Sequence, residues 1–170
     1  MKSNELTYSM PKIIGPNARV LILGSMPGRV SLAQQQYYAN PRNQFWTILY
    51  ALFGEKYGSV SYAEKIDFVI RHHIALWDSI HYCERKGSLD SAIKDEEPNN
   101  ILGLLHANPG IRAIAFNGSK SFAVFKKHFK LTVSPDIALI KMPSTSPTPS
   151  RYPKSLEEKI KEWAVIKDYI

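Results

Sequence analysis

Arg19-Val20-Leu21-Ile22-Leu23, closed by Gly24, is a short, continuous apolar run. Three more follow: residues 74–77 (IALW) closed by Asp78, residues 111–116 (IRAIAF) closed by Asn117 and Gly118, and residues 137–142 (IALIKM) closed by Pro143 and Ser144. Runs of this kind read as strands buried on both faces of a parallel sheet. Helical patterns lie between them. Asn43 is placed to cap a helix in which Phe45, Ile48, Leu49 and Leu52 share one face. Trp46, Tyr50 and Phe53 add a second stripe, so this helix should be covered on two sides. Phe122, Phe125 and Phe129 mark another helix after the third run. Ser155 and Glu158 form a capping-box pattern before a helix that turns Leu156, Ile160 and Trp163 inward. This alternation predicts one domain over residues 1–170, a three-layer α/β/α sandwich around a central four-stranded, mainly parallel sheet. Ligands of such sheets bind beyond the carboxyl ends of the strands, which directs attention to residues 24–43, 78–90, 117–120 and 143–151.

The chain of 170 residues is long enough for one domain with a substantial core, and 44% hydrophobic with 11% aromatic residues is an ordinary globular composition. A net charge of +7 and an isoelectric point near 9.4 suit a polyanionic partner such as nucleic acid. Cys83, the single cysteine, excludes an internal disulfide and fits a reducing cytoplasm. Residues 1–10 lack the apolar core of a signal peptide, and no apolar run approaches the ~20 residues that span a bilayer. A soluble, cytoplasmic protein that makes no use of a membrane is expected.

The first of the four segments is the densest. Gly24-Ser25-Met26-Pro27-Gly28 makes a tight turn that brings backbone close to a ligand. Tyr37-Tyr38-Ala39-Asn40-Pro41-Arg42-Asn43-Gln44-Phe45-Trp46 then sets an aromatic plane beside an amide. Taken alone, the two tyrosines read better as core residues and Asn40 as a turn residue before proline. Together the two pieces resemble the first motif of the uracil-DNA glycosylase superfamily, whose mismatch-specific uracil/thymine branch carries G-I-N-P-G and F-A-G-P-x-N-x-F-W. Met26 stands where that branch has its catalytic Asn, and Asn40 replaces the small residue before proline. Both departures are similar to the DNA-deoxyinosine (hypoxanthine-DNA) glycosylase branch, as is the segment 76–93 (LWDSIHYCERKGSLDSAI). The likeness extends from Leu21 to about Glu158.

That resemblance implies a uracil-DNA glycosylase-like fold and a DNA glycosylase acting near the nucleoid on a deaminated or mismatched base. Lys120 is the only lysine near the expected pocket, so a monofunctional enzyme is expected, a monomer without cofactor or metal. It implies Asn40 as the catalytic amide, with the backbone of Ser25 and Met26 completing the pocket, and Tyr38 stacking on the flipped base. Asn117 reads the base edge, with Phe45 and Gly24 beside it. Met142-Pro143-Ser144-Thr145-Ser146-Pro147 is similar to the second motif, so Ser144, Thr145, Ser146 and Pro147 grip phosphates together with Arg151, Lys120 and Arg42. Pro147 or Arg151 enters the vacated stack. The residues themselves leave structural alternatives open: Asn117 as a cap or turn, and the serines as an ordinary loop. Gly118-Ser119-Lys120-Ser121 lacks the spacing of a phosphate-binding loop, and His81, Cys83 and the His72-His73 pair lack zinc spacing. Three rivals remain: a uracil/thymine glycosylase of the same superfamily, a non-catalytic damaged-DNA-binding module and, last, a flavodoxin-like small-ligand protein, which fits the fold but not the motifs or the charge.

Overall fold

The computed structural model describes residues 6–129 and 131–170. Four strands, β2 (Val20–Gly24), β3 (Ile74–Asp78), β6 (Ala113–Asn117) and β7 (Ala138–Met142), form a sheet in the order β3-β2-β6-β7. Every pair in it is parallel. The expected strands are therefore present, with starts displaced by up to two residues. Alternate residues of β2 feed two separate cores. Val20 and Ile22 join one with Ile74, Leu76 and Ala115, covered by α2 (Phe45–Leu52), α3 (Tyr62–Arg71) and α6 (Leu156–Trp163). Leu21 and Leu23 face the other with Ile114 and Phe116, under α4 (Ile101–Ala107) and α5 (Ser119–Phe129). These are the three layers. β7 departs from the expectation: Leu139 and Lys141 are exposed, so one face of this strand is open to solvent, unlike β3 at the other edge of the sheet.

A second, antiparallel sheet was not evident from the sequence. It comprises β1 (Leu6–Tyr8), β4 (Ile80–Glu84) and β5 (Lys94–Pro98), in the order β1-β4-β5. β4 follows β3 after Ser79 alone, and β5 reads Lys-Asp-Glu-Glu-Pro, with no apolar signal to betray a strand. Asn99 bonds this sheet to the main one by donating Nδ2 to the carbonyls of Asp78 (2.9 Å) and Ile80 (3.0 Å).

The helix expected to start at Asn43 starts one residue later. Gln44 takes the cap position while Asn43 Oδ1 accepts from Phe45 N–H at 2.9 Å. Its two apolar stripes are both covered, with Phe45, Trp46, Ile48, Leu49, Tyr50 and Leu52 buried. The capping box of α6 is present: Ser155 Oγ accepts from Glu158 N–H and Glu158 Oε2 from Ser155 N–H. α6 ends on Trp163, fully buried, whose Nε1 donates to Pro143 O at 3.0 Å. The C-terminal helix thus holds the loop that leaves β7. Trp163→Phe removes that donor and leaves a void, so the urea midpoint should fall by the equivalent of about 1–3 kcal/mol with an unchanged slope.

Candidate active site

Because the main sheet is parallel, all four of its strands end on the same side, and the loops leaving them enclose a cavity of about 460 Å³. The last registered pair of β2 and β3 is Gly24 with Asp78. A Cβ on residue 24 would lie 2.5 Å from Asp78 Oδ1 and 3.1 Å from the Tyr38 hydroxyl. Glycine alone lets both polar groups reach the cavity floor. Asp78 is 3% exposed, and among the described residues neither its Oδ2 nor Tyr38 Oη makes a hydrogen bond of good geometry, although the Asn117 amide lies near enough to the Tyr38 phenol to act on it. Two orphaned polar atoms in one cavity wall await a ligand that satisfies them. Burial pushes the Asp78 carboxyl up to about 7; nearby Asp90 acts in the same direction and Arg85 opposes it. The acid is therefore largely protonated below neutrality and can donate a hydrogen bond.

Tyr38 lines the cavity with a left-handed φ of +54°, a conformation that costs a non-glycine residue roughly 1–2 kcal/mol. One face of its ring stacks on Phe45, with centroids 3.8 Å apart. Burial and the adjacent Asp78 raise its phenol above the ordinary value. Asn40 also lines the cavity. Its Oδ1 accepts from Arg42 N–H at 2.9 Å and its carbonyl from Asn43 N–H at 2.9 Å, which fixes the amide and leaves Nδ2 free to donate.

Asn117 lines the cavity too, but its amide is engaged at both ends by Thr145. Nδ2 donates to Thr145 Oγ1 (2.9 Å), and Oδ1 accepts from Thr145 N–H (3.0 Å). Thr145, 1% exposed, gives its carbonyl to Gln44 N–H at 3.0 Å. β6, the loop after β7 and the start of α2 are joined at this one residue. The Asn117 amide keeps one hydrogen and one lone pair for a base edge.

The opposite wall is built by residues 88–91, for which the sequence offered no role. Three hydrogen bonds tie this segment and its approach to the Gly24–Arg29 loop. Ser25 Oγ donates to Asp90 Oδ1 (2.6 Å), Arg29 N–H to Ser88 Oγ (3.0 Å), and buried Arg85 donates Nη2 to Pro27 O. Met26 and Ile93 pack beneath with Ile80, Cys83 and Val124. Met26 thus contributes its side chain to a small core, which gives Cys83 a structural place as well.

Of the residues the sequence singled out, Gly24, Ser25, Met26, Tyr38, Asn40, Asn117, Ser144, Thr145, Ser146 and Pro147 meet around this cavity. Four do not line it. Phe45, 1% exposed, lies behind Tyr38 as its support. Arg42 and Arg151 are exposed outside the cavity, Arg151 over the ring of Tyr152. Lys120 sits on the first turn of α5, its charge acting on Glu96 and Cys83. Pattern alone placed Asp78 at a strand end, more as a structural hydrogen-bonding group than as an assisting one, and missed Arg85, Ser88 and Asp90. The strand-end rule found their segment, but only burial distinguishes them. Among the described residues no group of three or more His, Cys, Asp or Glu side chains is placed to hold a metal. No helix there is long and apolar enough to cross a membrane.

A three-layer α/β domain with a base-sized, amide- and aromatic-lined cavity at the strand ends is the architecture of a DNA glycosylase. The chain belongs to the uracil DNA glycosylase superfamily, whose family model matches residues 11–167. Among its relatives are two proteins named hypoxanthine DNA glycosylase, from Methanosarcina barkeri and Methanosarcina acetivorans. Each is 40% identical over 111 residues, covering 65% of this chain and 70% of the relative. A solution NMR structure of a candidate uracil DNA glycosylase from Methanosarcina acetivorans superposes with a TM-score of 0.81 and 32% identity. That match covers 96% of this chain and 97% of the other. The family expectation and the fold expectation are both met.

A carboxyl whose folded-state value lies above its unfolded value favours the fold while protonated, and that contribution is lost as pH rises toward about 7. Asp78→Asn should therefore raise the melting temperature, and by more at pH 8 than at pH 5.5. A gain that is equal at both pH values, or larger at pH 5.5, would contradict a carboxyl held neutral.

Proposed function

We propose that this chain is a monofunctional glycosylase that excises hypoxanthine from DNA, acting as a monomer on cytoplasmic, nucleoid DNA. The observation that carries the reading is the cavity itself. Its volume of about 460 Å³ accommodates a purine, and its floor offers a buried carboxyl and a phenol beside a fixed amide. The name shared by the two Methanosarcina relatives agrees with it.

A base stacked in duplex DNA is out of reach, so the nucleotide rotates into the cavity at a cost of a few kcal/mol, least for the weak pairs that a deaminated base makes. The N-glycosidic bond then breaks with its electron pair moving to the base, leaving an oxocarbenium-like sugar that water attacks. Tyr38 provides the stacking plane. Asp78, protonated, donates to an acceptor of the base, and Asn40 holds the departing base or the attacking water through Nδ2. One hydrogen and one lone pair of Asn117 remain to read the lactam edge. Ser144, Ser146 and Pro147 line the same cavity, where hydroxyls and backbone N–H groups can hold flanking phosphates. Lyase chemistry requires an amine nucleophile, and no lysine lines the cavity among the described residues.

Single-turnover cleavage of duplexes carrying one hypoxanthine, uracil, xanthine or mismatched thymine, followed by alkali, tests the reading. Hypoxanthine should be cut fastest. Cleavage only at uracil or thymine would assign the chain to the mismatch-specific branch, and binding without any cleavage would make it a damage-recognition module. Asn40→Ala should lower the rate on hypoxanthine by roughly 10²–10⁴ while duplex binding persists. An unchanged rate would remove Asn40 from the chemistry.

A further inference from the structure

Arg85 follows β4 directly and stays inside the protein, 6% exposed. Its Nη2 donates to the carbonyl of Pro27. Nε and Nη1 are buried and, among the described residues, make no hydrogen bond, and no carboxylate forms an ion pair with this side chain. Burial holds the guanidinium below its usual pKa, and the charge of Arg29 acts in the same direction. A cation taken out of water without a counter-charge is among the larger costs a fold carries. Arg85 lines a second cavity, of about 350 Å³, to which β1 and the short helix Arg29–Gln34 also contribute. Arg29 lines it too, and lines the strand-end cavity as well. Two guanidiniums therefore meet at one cavity, and no acidic residue is among those that line it. The rest of the wall includes Leu6, Leu32 and Tyr8, whose ring is half exposed.

We propose that this second cavity binds the phosphate of a nucleotide between Arg85 and Arg29, with the rest of the nucleotide against Leu6, Leu32 and Tyr8. The proposal does not depend on the glycosylase reading, since it requires only a phosphate. Guanidinium N–H groups lie in a planar fork that matches phosphate oxygens, and Arg85 has two nitrogens with donors still to give. One anion between the two arginines turns their repulsion into attraction. The cavity is larger than a bare phosphate ion needs, and its aliphatic and aromatic wall suits a sugar and a base rather than water. A DNA strand and a free nucleotide present the same chemistry here.

Calorimetric titration of the full chain with deoxyadenosine monophosphate, and separately with inorganic phosphate, at fixed ionic strength tests the site. Wild type, Arg29→Gln and Arg85→Met are compared with Lys161→Gln, which removes one charge from an exposed lysine of α6 that lines neither cavity. The nucleotide should bind wild type and Lys161→Gln alike, and Arg29→Gln and Arg85→Met should each weaken it about tenfold or more. Inorganic phosphate bound as tightly as the nucleotide would overturn the assignment to a nucleotide. Displacement of the bound nucleotide by an undamaged duplex places the site on a DNA strand; a duplex that leaves it bound makes the free nucleotide the ligand. A strand phosphate that the free nucleotide does not mimic shows in the salt dependence of duplex binding, where Arg29→Gln should reduce the slope by about one and Lys161→Gln should not. If Arg85→Met does not fold, Arg29→Gln decides. Four proteins with the same nucleotide affinity and the same salt slope would overturn the proposal. Cleavage is not the readout, so failure of the glycosylase reading leaves this result standing.

Discussion

Gly24 and Asp78 face each other at the last pair of a parallel ladder, with no room between them for a methyl group. That contact sets the terms for the rest of the site. It allows the carboxyl to pack against the backbone of β2, where solvent is excluded and its charge is costly. It also admits the hydroxyl of Tyr38 to the same floor. Tyr38 then has to approach from the loop before α2, and its left-handed backbone and its stacking on Phe45 follow from that approach. Below the floor, Ser121 Oγ donates to Leu23 O (2.8 Å) and Ser79 Oγ lies 3.0 Å from Ser121 Oγ. These bonds satisfy the strand ends beneath the cavity, in whose floor Asp78 Oδ2 and Tyr38 Oη stand.

The cavity walls are held differently from its floor. On one side Thr145 collects bonds from Asn117 and Gln44, and Trp163 secures Pro143 from below. Lys159 of α6 reaches Gln44 Oε1 at 2.9 Å, so the same helix braces both the wall and the start of α2. A C-terminal helix remote from the chemistry thus positions the loop expected to meet phosphates. On the other side, the connection between β4 and β5 leans on the first loop through side chains alone.

Much of this was legible in the sequence, and the part that was not has a physical reason. β2, β3 and β6 announce themselves because burial on both faces demands unbroken apolar runs, and β7 carries such a run although one of its faces is exposed. β5 is a strand of lysine, aspartate and glutamates, paired on one side and solvated on the other, so no pattern marks it. Tyr38 and Asn40 were legible through the motif they complete. Asn117 was expected to read a base, and it lines the cavity, but its engagement depends on Thr145, 28 residues away, a pairing that no local pattern encodes. Phe45 lies one aromatic ring further from the cavity than expected, because Tyr38 covers it. The state of Asp78 is invisible in a string of letters: it is set by the absence of a side chain on a neighbouring strand.

The hydrogen bonds that join residues 85–91 to residues 24–29 carry a consequence for how this pocket can change. Ser25 and Asp90 are joined side chain to side chain and behave as a unit, whereas Ser88 is held by the backbone N–H of Arg29, so a substitution at Ser25 alters the effect of one at Asp90. Remodelling the cavity for a different base therefore cannot proceed by independent single replacements along one loop. Selection, natural or in the laboratory, has to move through paired changes, and libraries that vary the two segments together should reach pockets that sequential rounds on either one would miss.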